Sequence, residues 1–176
     1  MTFIVEDGTN VPNSNSYVDV TYADSYLGMF GYADWTSITD PVIKQNALVA
    51  ATQAVELMYG QRYLSFPSRS VQSLLFPRYL LIVNRIQIIS QGTIPDQLKR
   101  AVCEVALMSV QGSDIFPLPK TDNFLRSKKL AISGGPSKDV SWSKNPVTEQ
   151  FLGFNKVELL LKPILRPVTP QASMSL

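Results

Sequence analysis

Apolar residues recur at helical spacing in four parts of the chain. The first and second parts follow Asp19 and Asp40, whose side chains are typical N-caps. The third part begins near Asp96, and the fourth covers residues 155–165. The second part has the widest apolar face and stops at Gly60, so we expect this helix to be central and to contact two layers.

β-Branched residues dominate two other stretches, which predict two hairpins. Residues 79–83 and 86–89 flank Asn84-Arg85, a two-residue turn. One continuous helix is the alternative here, but it would lack caps and would be rich in Ile and Val. Residues 128–143 predict the second hairpin, around a Gly-Gly-Pro loop.

The complete pattern predicts a mainly α fold: a small bundle of about four helices in a domain over residues 1–166, with hairpins near 79–89 and 128–143. Residues 167–176 contain prolines and cannot form a core alone, so they predict an extended C-terminal arm. An apolar hairpin aggregates unless another surface covers it. The residues that we expect at protein interfaces are therefore Leu81, Ile82, Val83, Ile86, Ile88, Ile89, Pro167, Val168 and Pro170.

The 176 residues include no His and one Cys, Cys103. The missing His excludes Ser-His-Asp and Cys-His catalysis within the chain, and a lone Cys excludes an internal disulfide or a CxxC zinc motif. Cys103 lies beside an apolar helical stripe, which is typical of a small buried thiol. Glu6 and Asp7 would point to opposite faces of a strand, and with Gly8 they indicate a solvated turn. We therefore expect no enzyme, no cofactor and no metal site.

Charged residues make up 17% of the chain, below the roughly 25% of typical domains, which indicates surface that is covered by neighbours. Their distribution is uneven, because residues 1–60 hold seven acids and one base, whereas the remainder holds seven acids and fifteen bases. Two solvated faces would explain this split; so would a self-complementary pair of patches on successive copies. No apolar run approaches the roughly 20 residues of a membrane span, so we expect no membrane contact.

Arginines alternate with aromatic residues between positions 62 and 85, and cations beside stacking rings hold single-stranded nucleic acid in many proteins. The same rings are equally typical of a core or a protein interface. The isoelectric point near 8.7 also lies below the values above about 9 that are usual for dedicated DNA binders. The DNA-facing candidates, which include a basic cluster before the second predicted hairpin, are Arg78, Arg85, Arg126, Lys128 and Lys129.

Several short motifs resemble those of a family of small tailed-phage proteins. They are Val5-Glu6-Asp7-Gly8-Thr9, Asn15-Ser16-Tyr17-Val18, Ala23-Asp24-Ser25-Tyr26, Trp35, the stretch Ala47–Thr52, Phe76-Pro77-Arg78, and Ile94-Pro95 with Lys99-Arg100-Ala101. The chain departs from the family at Phe76, where Trp is usual, and over residues 79–89, where a polar loop is common.

Members of this family carry two labels: head–tail connector (adaptor) protein, and DnaT-like single-stranded-DNA-binding protein. The first label implies a structural virion protein that is made in the host cytoplasm and forms a ring of about twelve copies in the phage neck. Such a ring would join the portal protein to the next neck or tail protein, with DNA passing through its lumen in non-specific contact. Our sequence-based prediction is the adaptor, and the alternative is a single-stranded-DNA-binding accessory protein of phage replication.

Overall fold

The computed structural model describes residues 2–79, 81–83, 87–90, 92–116 and 147–166, with side chains for all of these except 81–83, 87–89 and 147–153. Most of the described chain is helical, which confirms the predicted mainly α class. The helices are α1 (Val20–Met29), α2 (Ala33–Thr36), α3 (Pro41–Tyr59), α4 (Asp96–Val110) and α5 (Val147–Leu161), with 3-10 turns at Gly60–Arg62 and Lys162–Ile164. The strands are β1 (Phe66–Pro67), β2 (Arg78–Tyr79), β3 (Leu81–Val83) and β4 (Gln87–Ile89).

Side chains cap the first two long helices as the sequence predicts. The Asp19 carboxylate accepts a hydrogen bond from the Tyr22 N–H at 2.7 Å at the start of α1. The Asp40 carboxylate accepts one from the Val42 N–H at 2.8 Å at the start of α3. Each cap satisfies a backbone donor that has no partner within the helix, which sets where the helix begins.

The helix at the centre of the bundle is α4. It packs against α1, α2, α3 and α5, and all seven residues from Ala101 to Leu107 are buried. The prediction that α3 is the central helix was therefore wrong, although α3 does contact both α1 and α4. In the sequence, the charged residues Arg100 and Glu104 make the apolar face of α4 look narrower than that of α3. In the structure, Glu104 is buried because it is paired with other side chains.

Two antiparallel ribbons follow α3. In the first, β1 pairs with β2, with Phe66 opposite Tyr79. In the second, Leu81 pairs with Ile89 and Val83 with Gln87, which confirms a hairpin within residues 79–89. Tyr79 belongs to the first ribbon rather than to this hairpin.

The remaining boundaries differ from the predictions in part. Helix α5 begins at Val147, eight residues before the predicted start, and Pro163 falls in the 3-10 turn that follows it. Near the N-terminus, one parallel β-bridge joins Val5 to Ser16. The predicted hairpin over 128–143 and the arm over 167–176 lie outside the described residues. No helix of the described ranges has the length and hydropathy that crossing a bilayer requires.

The Glu6 carboxylate organises the N-terminal loop. It accepts hydrogen bonds from the N–H groups of Gly8 (2.8 Å), Asn10 (2.9 Å) and Val11 (2.9 Å), and from the Ser14 hydroxyl (3.2 Å). Glu6 is 2% exposed, so the prediction of a solvated turn was wrong for this residue. A buried carboxylate is tolerated here because four donors replace the water that it loses.

Gly8 allows this loop to approach the chain just before α4. Its φ is +108°, and a Cβ built on it would lie 1.9 Å from the carbonyl oxygen of Gly92. Both the left-handed backbone and the close contact exclude a side chain at this position. The Glu6–Gly8 pair of the first sequence motif therefore serves the fold.

We predict that Gly8→Ala lowers the free energy of unfolding by about 2–3 kcal/mol, because the new methyl group strains the backbone and displaces Gly92. The matched control is Gly28→Ala in α1, where no atom lies within 4 Å of the new Cβ. That variant should be stabilised by about 0.5–1 kcal/mol through helix propensity. Urea unfolding followed by circular dichroism measures both, and equal stability of the two variants would contradict the close approach.

Candidate nucleic-acid interface

The loop from Tyr63 to Arg78 is built around the Arg78 side chain. Its Nε donates to the carbonyl of Leu64 (2.9 Å), Nη1 to that of Leu75 (3.2 Å) and Nη2 to that of Ser65 (2.6 Å). The guanidinium also lies over the ring of Tyr63, with 5.7 Å between its Cζ and the ring centroid. Burial lowers the pKa of Arg78, but the three carbonyls and the ring face stabilise its charge.

Two buried rings support the inner side of this loop. The rings of Tyr63 and Phe76 pack edge to face, with centroids 4.9 Å apart. Phe76 also meets Tyr17 edge to face at 6.1 Å, and its N–H donates to the Tyr17 hydroxyl at 3.0 Å. Tyr17 in turn donates to the Glu56 carboxylate, which ties the loop to α3. Burial raises the pKa of Glu56 above its ordinary value.

The outer side of the same loop presents two aromatic rings to solvent. Phe66 is 73% exposed and Tyr79 is 50% exposed. They are direct partners across β1 and β2, so their side chains leave the same face of the ribbon, with Cβ atoms about 5 Å apart. Arg69 is exposed in the connecting loop, where its N–H donates to Gln72 Oε1 at 3.0 Å. We call Phe66, Tyr79 and Arg69 the aromatic ledge.

The structure separates the arginines and rings that alternate in the sequence. Arg78 is 7% exposed and bound to carbonyls, so its assignment as a DNA-facing residue is corrected: it is a structural residue of the loop. Arg62 forms an ion pair with Glu158 at 2.9 Å, which joins the end of α3 to α5. Tyr63 and Phe76 are buried. The other DNA-facing candidates lie outside the described residues: Arg85, Arg126, Lys128 and Lys129.

Some of the predicted interface residues lie in the described strands, and the others lie outside the described residues. Strands β3 and β4 contain Leu81, Ile82, Val83, Ile88 and Ile89, and β3 lies against the 3-10 turn at Lys162–Ile164. Ile86, Pro167, Val168 and Pro170 lie outside the described residues. Covering of these side chains by another protein stays a prediction.

The residues of the aromatic ledge belong to the alternation of arginines and rings over positions 62–85, but the sequence did not single them out. Phe66 and Tyr79 are thirteen positions apart, and the sequence places each of them beside rings that turn out to be buried. The proline at position 67 is a further signal, because a proline within a strand indicates an exposed edge. Which rings face solvent depends on the Arg78 contacts and cannot be derived from spacing.

The motif side chains that the sequence singles out also serve folding. Asp24 accepts hydrogen bonds from Trp35 Nε1 at 2.7 Å and from Lys44 Nζ at 2.8 Å. The Tyr26 hydroxyl donates to Glu104 at 2.9 Å, and Lys156 forms an ion pair with the same carboxylate at 2.7 Å. These motif side chains make internal contacts, so they contribute to the fold.

We predict that Arg78→Lys lowers the free energy of unfolding by about 2 kcal/mol, because an ammonium cannot reach three carbonyls and lie flat on a ring. The matched control is Arg69→Lys, an exposed position where the change should stay within about 0.5 kcal/mol. Urea unfolding of both variants measures the difference. If Arg78→Lys is as stable as the wild type, Arg78 does not hold the loop.

Comparison with known protein families gives one assignment. A family model described as "Putative DnaT-like ssDNA binding protein" matches residues 1–175. The chain therefore belongs to this family, whose description points to contact with DNA. Searches among curated proteins and among solved structures gave no match.

Proposed function

We propose that this protein binds single-stranded DNA without reading its sequence, and that the aromatic ledge is where bases stack. The observation that carries this proposal is the pair of exposed rings, Phe66 and Tyr79, fixed side by side on one face of the β1–β2 ribbon. Stacking on a ring tolerates every base, because each base has a π-face. Arg69, on the same loop, supplies a cation that attracts the phosphates of the DNA backbone.

The rigid inner side of the loop supports this role. An exposed ring binds a base well only if its position is already set, and the contacts of Arg78 and Phe76 set the backbone of both strands. The family description points to the same ligand. Residues 117–146, which lie outside the described ranges, add six bases and two acids and would strengthen the attraction to DNA.

We propose a binding role and no catalysis. Cys103 is fully buried, and burial together with Glu104 raises the pKa of its thiol, so it is not available as a nucleophile. Within the described ranges, no three Cys, Asp or Glu side chains lie close enough together to hold a metal ion. Binding and stacking need neither group.

We predict that Phe66→Ala and Tyr79→Ala each weaken binding of single-stranded oligo(dT) about 10-fold, since stacking on one ring contributes about 1–3 kcal/mol. Fluorescence anisotropy with a labelled oligonucleotide measures the dissociation constants. Arg69→Ala should flatten the dependence of log K on log salt by about 0.7, the contribution of one phosphate contact.

The matched control is Val71→Ala, which removes an apolar side chain that is 87% exposed on the same loop but has no ring. Its affinity should equal that of the wild type. If Phe66→Ala, Tyr79→Ala and Arg69→Ala all bind as tightly as the wild type, bases do not stack on the aromatic ledge. If the wild-type chain binds no oligonucleotide even at low salt, the proposed function is refuted.

A second candidate function is the head–tail adaptor that the sequence motifs resemble. The observation in its favour is the excess of exposed acids in residues 1–60. Asp7, Asp19, Asp34 and Asp40 are exposed, and the one base of this part, Lys44, is buried beside Asp24. Exposed carboxylates repel DNA but suit a heterologous contact with bases of another copy, and heterologous contacts are how rings form.

In this candidate the chain is a virion protein of the phage neck, in a ring that touches the portal protein on one side and the next neck or tail protein on the other. We predict about twelve copies of the chain per purified particle, measured by quantitative mass spectrometry against the portal protein. The major capsid protein serves as the internal standard. Absence of the chain from purified particles would exclude the adaptor and would leave DNA binding outside the virion.

A further inference from the structure

Helix α3 presents a solvent face that has no charge. Its two charged residues are Lys44, which is buried against Asp24, and Glu56, which is bound to Tyr17 and to the Leu75 N–H. The exposed positions of this face run from residue 42 to residue 57, which is roughly 22 Å at 1.5 Å per residue. The residues that it exposes are Val42, Ile43, Asn46, Gln53 and Leu57.

Such a face is unusual for a helix that stays in water, since charged residues normally cover the outer side. Ile43 and Leu57 lie fourteen positions apart, close to four full turns, so they are on the same side of the helix. They are 51% and 74% exposed. Low charge combined with large exposed aliphatic groups is typical of the core of a protein interface.

We infer that the outer face of α3 docks on the α5 end of a second copy of this chain. Helix α5 exposes Leu159 (67%), an aliphatic side chain that α3 of another copy can cover. The exposed base Lys162 lies three residues after Leu159, at the start of the 3-10 turn, and exposed Arg166 lies just beyond that turn.

Charge complementarity argues for a second copy as the occupant. The exposed acid Asp40 lies at the N-terminal end of α3, and exposed Asp34 precedes it by six residues, whereas the exposed bases Lys162 and Arg166 follow the C-terminal end of α5. Each patch has an aliphatic centre. The acids beside the α3 face can pair with the bases beside the α5 end when the two centres meet.

The contact is heterologous, because the α3 face and the α5 end are different patches of one copy. After two copies bind, one of them still has a free α3 face and the other a free α5 end. Further copies can therefore bind in the same way until a ring closes or a filament grows. This inference rests on the adaptor candidate. It is independent of the aromatic ledge, because the ledge lies on β1, β2 and the loop that connects them. Self-association is measured without DNA, so its failure and the failure of DNA binding are distinguishable.

The full-length chain is suited to a cysteine-crosslinking test, because its single native thiol, Cys103, is fully buried. Copies carrying Ile43→Cys or Leu57→Cys are mixed with copies carrying Leu159→Cys and treated with a short bis-maleimide. We expect a dimer band from at least one mixture and loss of that band at high salt, where the rim charges are screened. The wild type and Leu159→Cys alone should remain uncrosslinked.

Sedimentation equilibrium gives the second measurement. Ile43→Asp should shift the mass of the wild-type oligomer to that of the monomer, whereas Val71→Asp, on the exposed loop away from α3, should not. Circular dichroism establishes that both variants are folded. A dimer band from Ile43→Cys or Leu57→Cys alone would indicate an α3–α3 contact and would overturn the inference, as would a wild-type chain that is monomeric at all concentrations.

Discussion

The buried Glu104 carboxylate is the interaction on which the rest of the bundle depends. It lies in the middle of α4, and unpaired it would cost more than any single apolar contact contributes. Tyr26 from α1 and Lys156 from α5 satisfy it, and Lys156 also donates to the Tyr32 hydroxyl at 3.2 Å. Because each of these bonds fails if a helix shifts by one turn, Glu104 sets the register of α1 and α5 on α4. Burial, together with the hydrogen bond to Glu104, raises the pKa of Tyr26, which therefore stays a neutral donor.

Three other charges, of which Glu6 and Arg78 are buried and Glu56 is half-buried, repeat this arrangement at smaller scale. Glu6 gathers the N-terminal loop, Glu56 holds Tyr17 and the Leu75 N–H, and Arg78 closes the loop before β2. Each of them links segments that are remote or irregular, where no helix or long strand supplies backbone partners. Polar side chains thus hold the loops of the fold in place, and some of these side chains belong to the sequence motifs.

Because these residues are used internally, the candidate functions depend on surface that the motifs do not mark. The aromatic ledge is the outer side of the loop that Arg78 holds, so its rings are exposed as a consequence of what is buried beneath them. The α3 face is free of charge for a similar reason, since Lys44 is turned inward to Asp24. The proposed DNA-binding ledge and the proposed self-association face consist of different residues, so one protein can carry both.

Four features could be predicted from the sequence: the helices that begin with a capping side chain, the hairpin within residues 79–89, the burial of Cys103 and the excess of acid in residues 1–60. These features are local: a cap needs an oxygen near its own backbone, and a helix needs only its own periodicity. Other features depend on contacts between distant segments: α4 is the central helix, Glu6 and Arg78 are buried, and Phe66 and Tyr79 face solvent together. The reason is physical, because a charge enters a core only when partners from distant segments replace its water, and spacing along one chain does not reveal those partners.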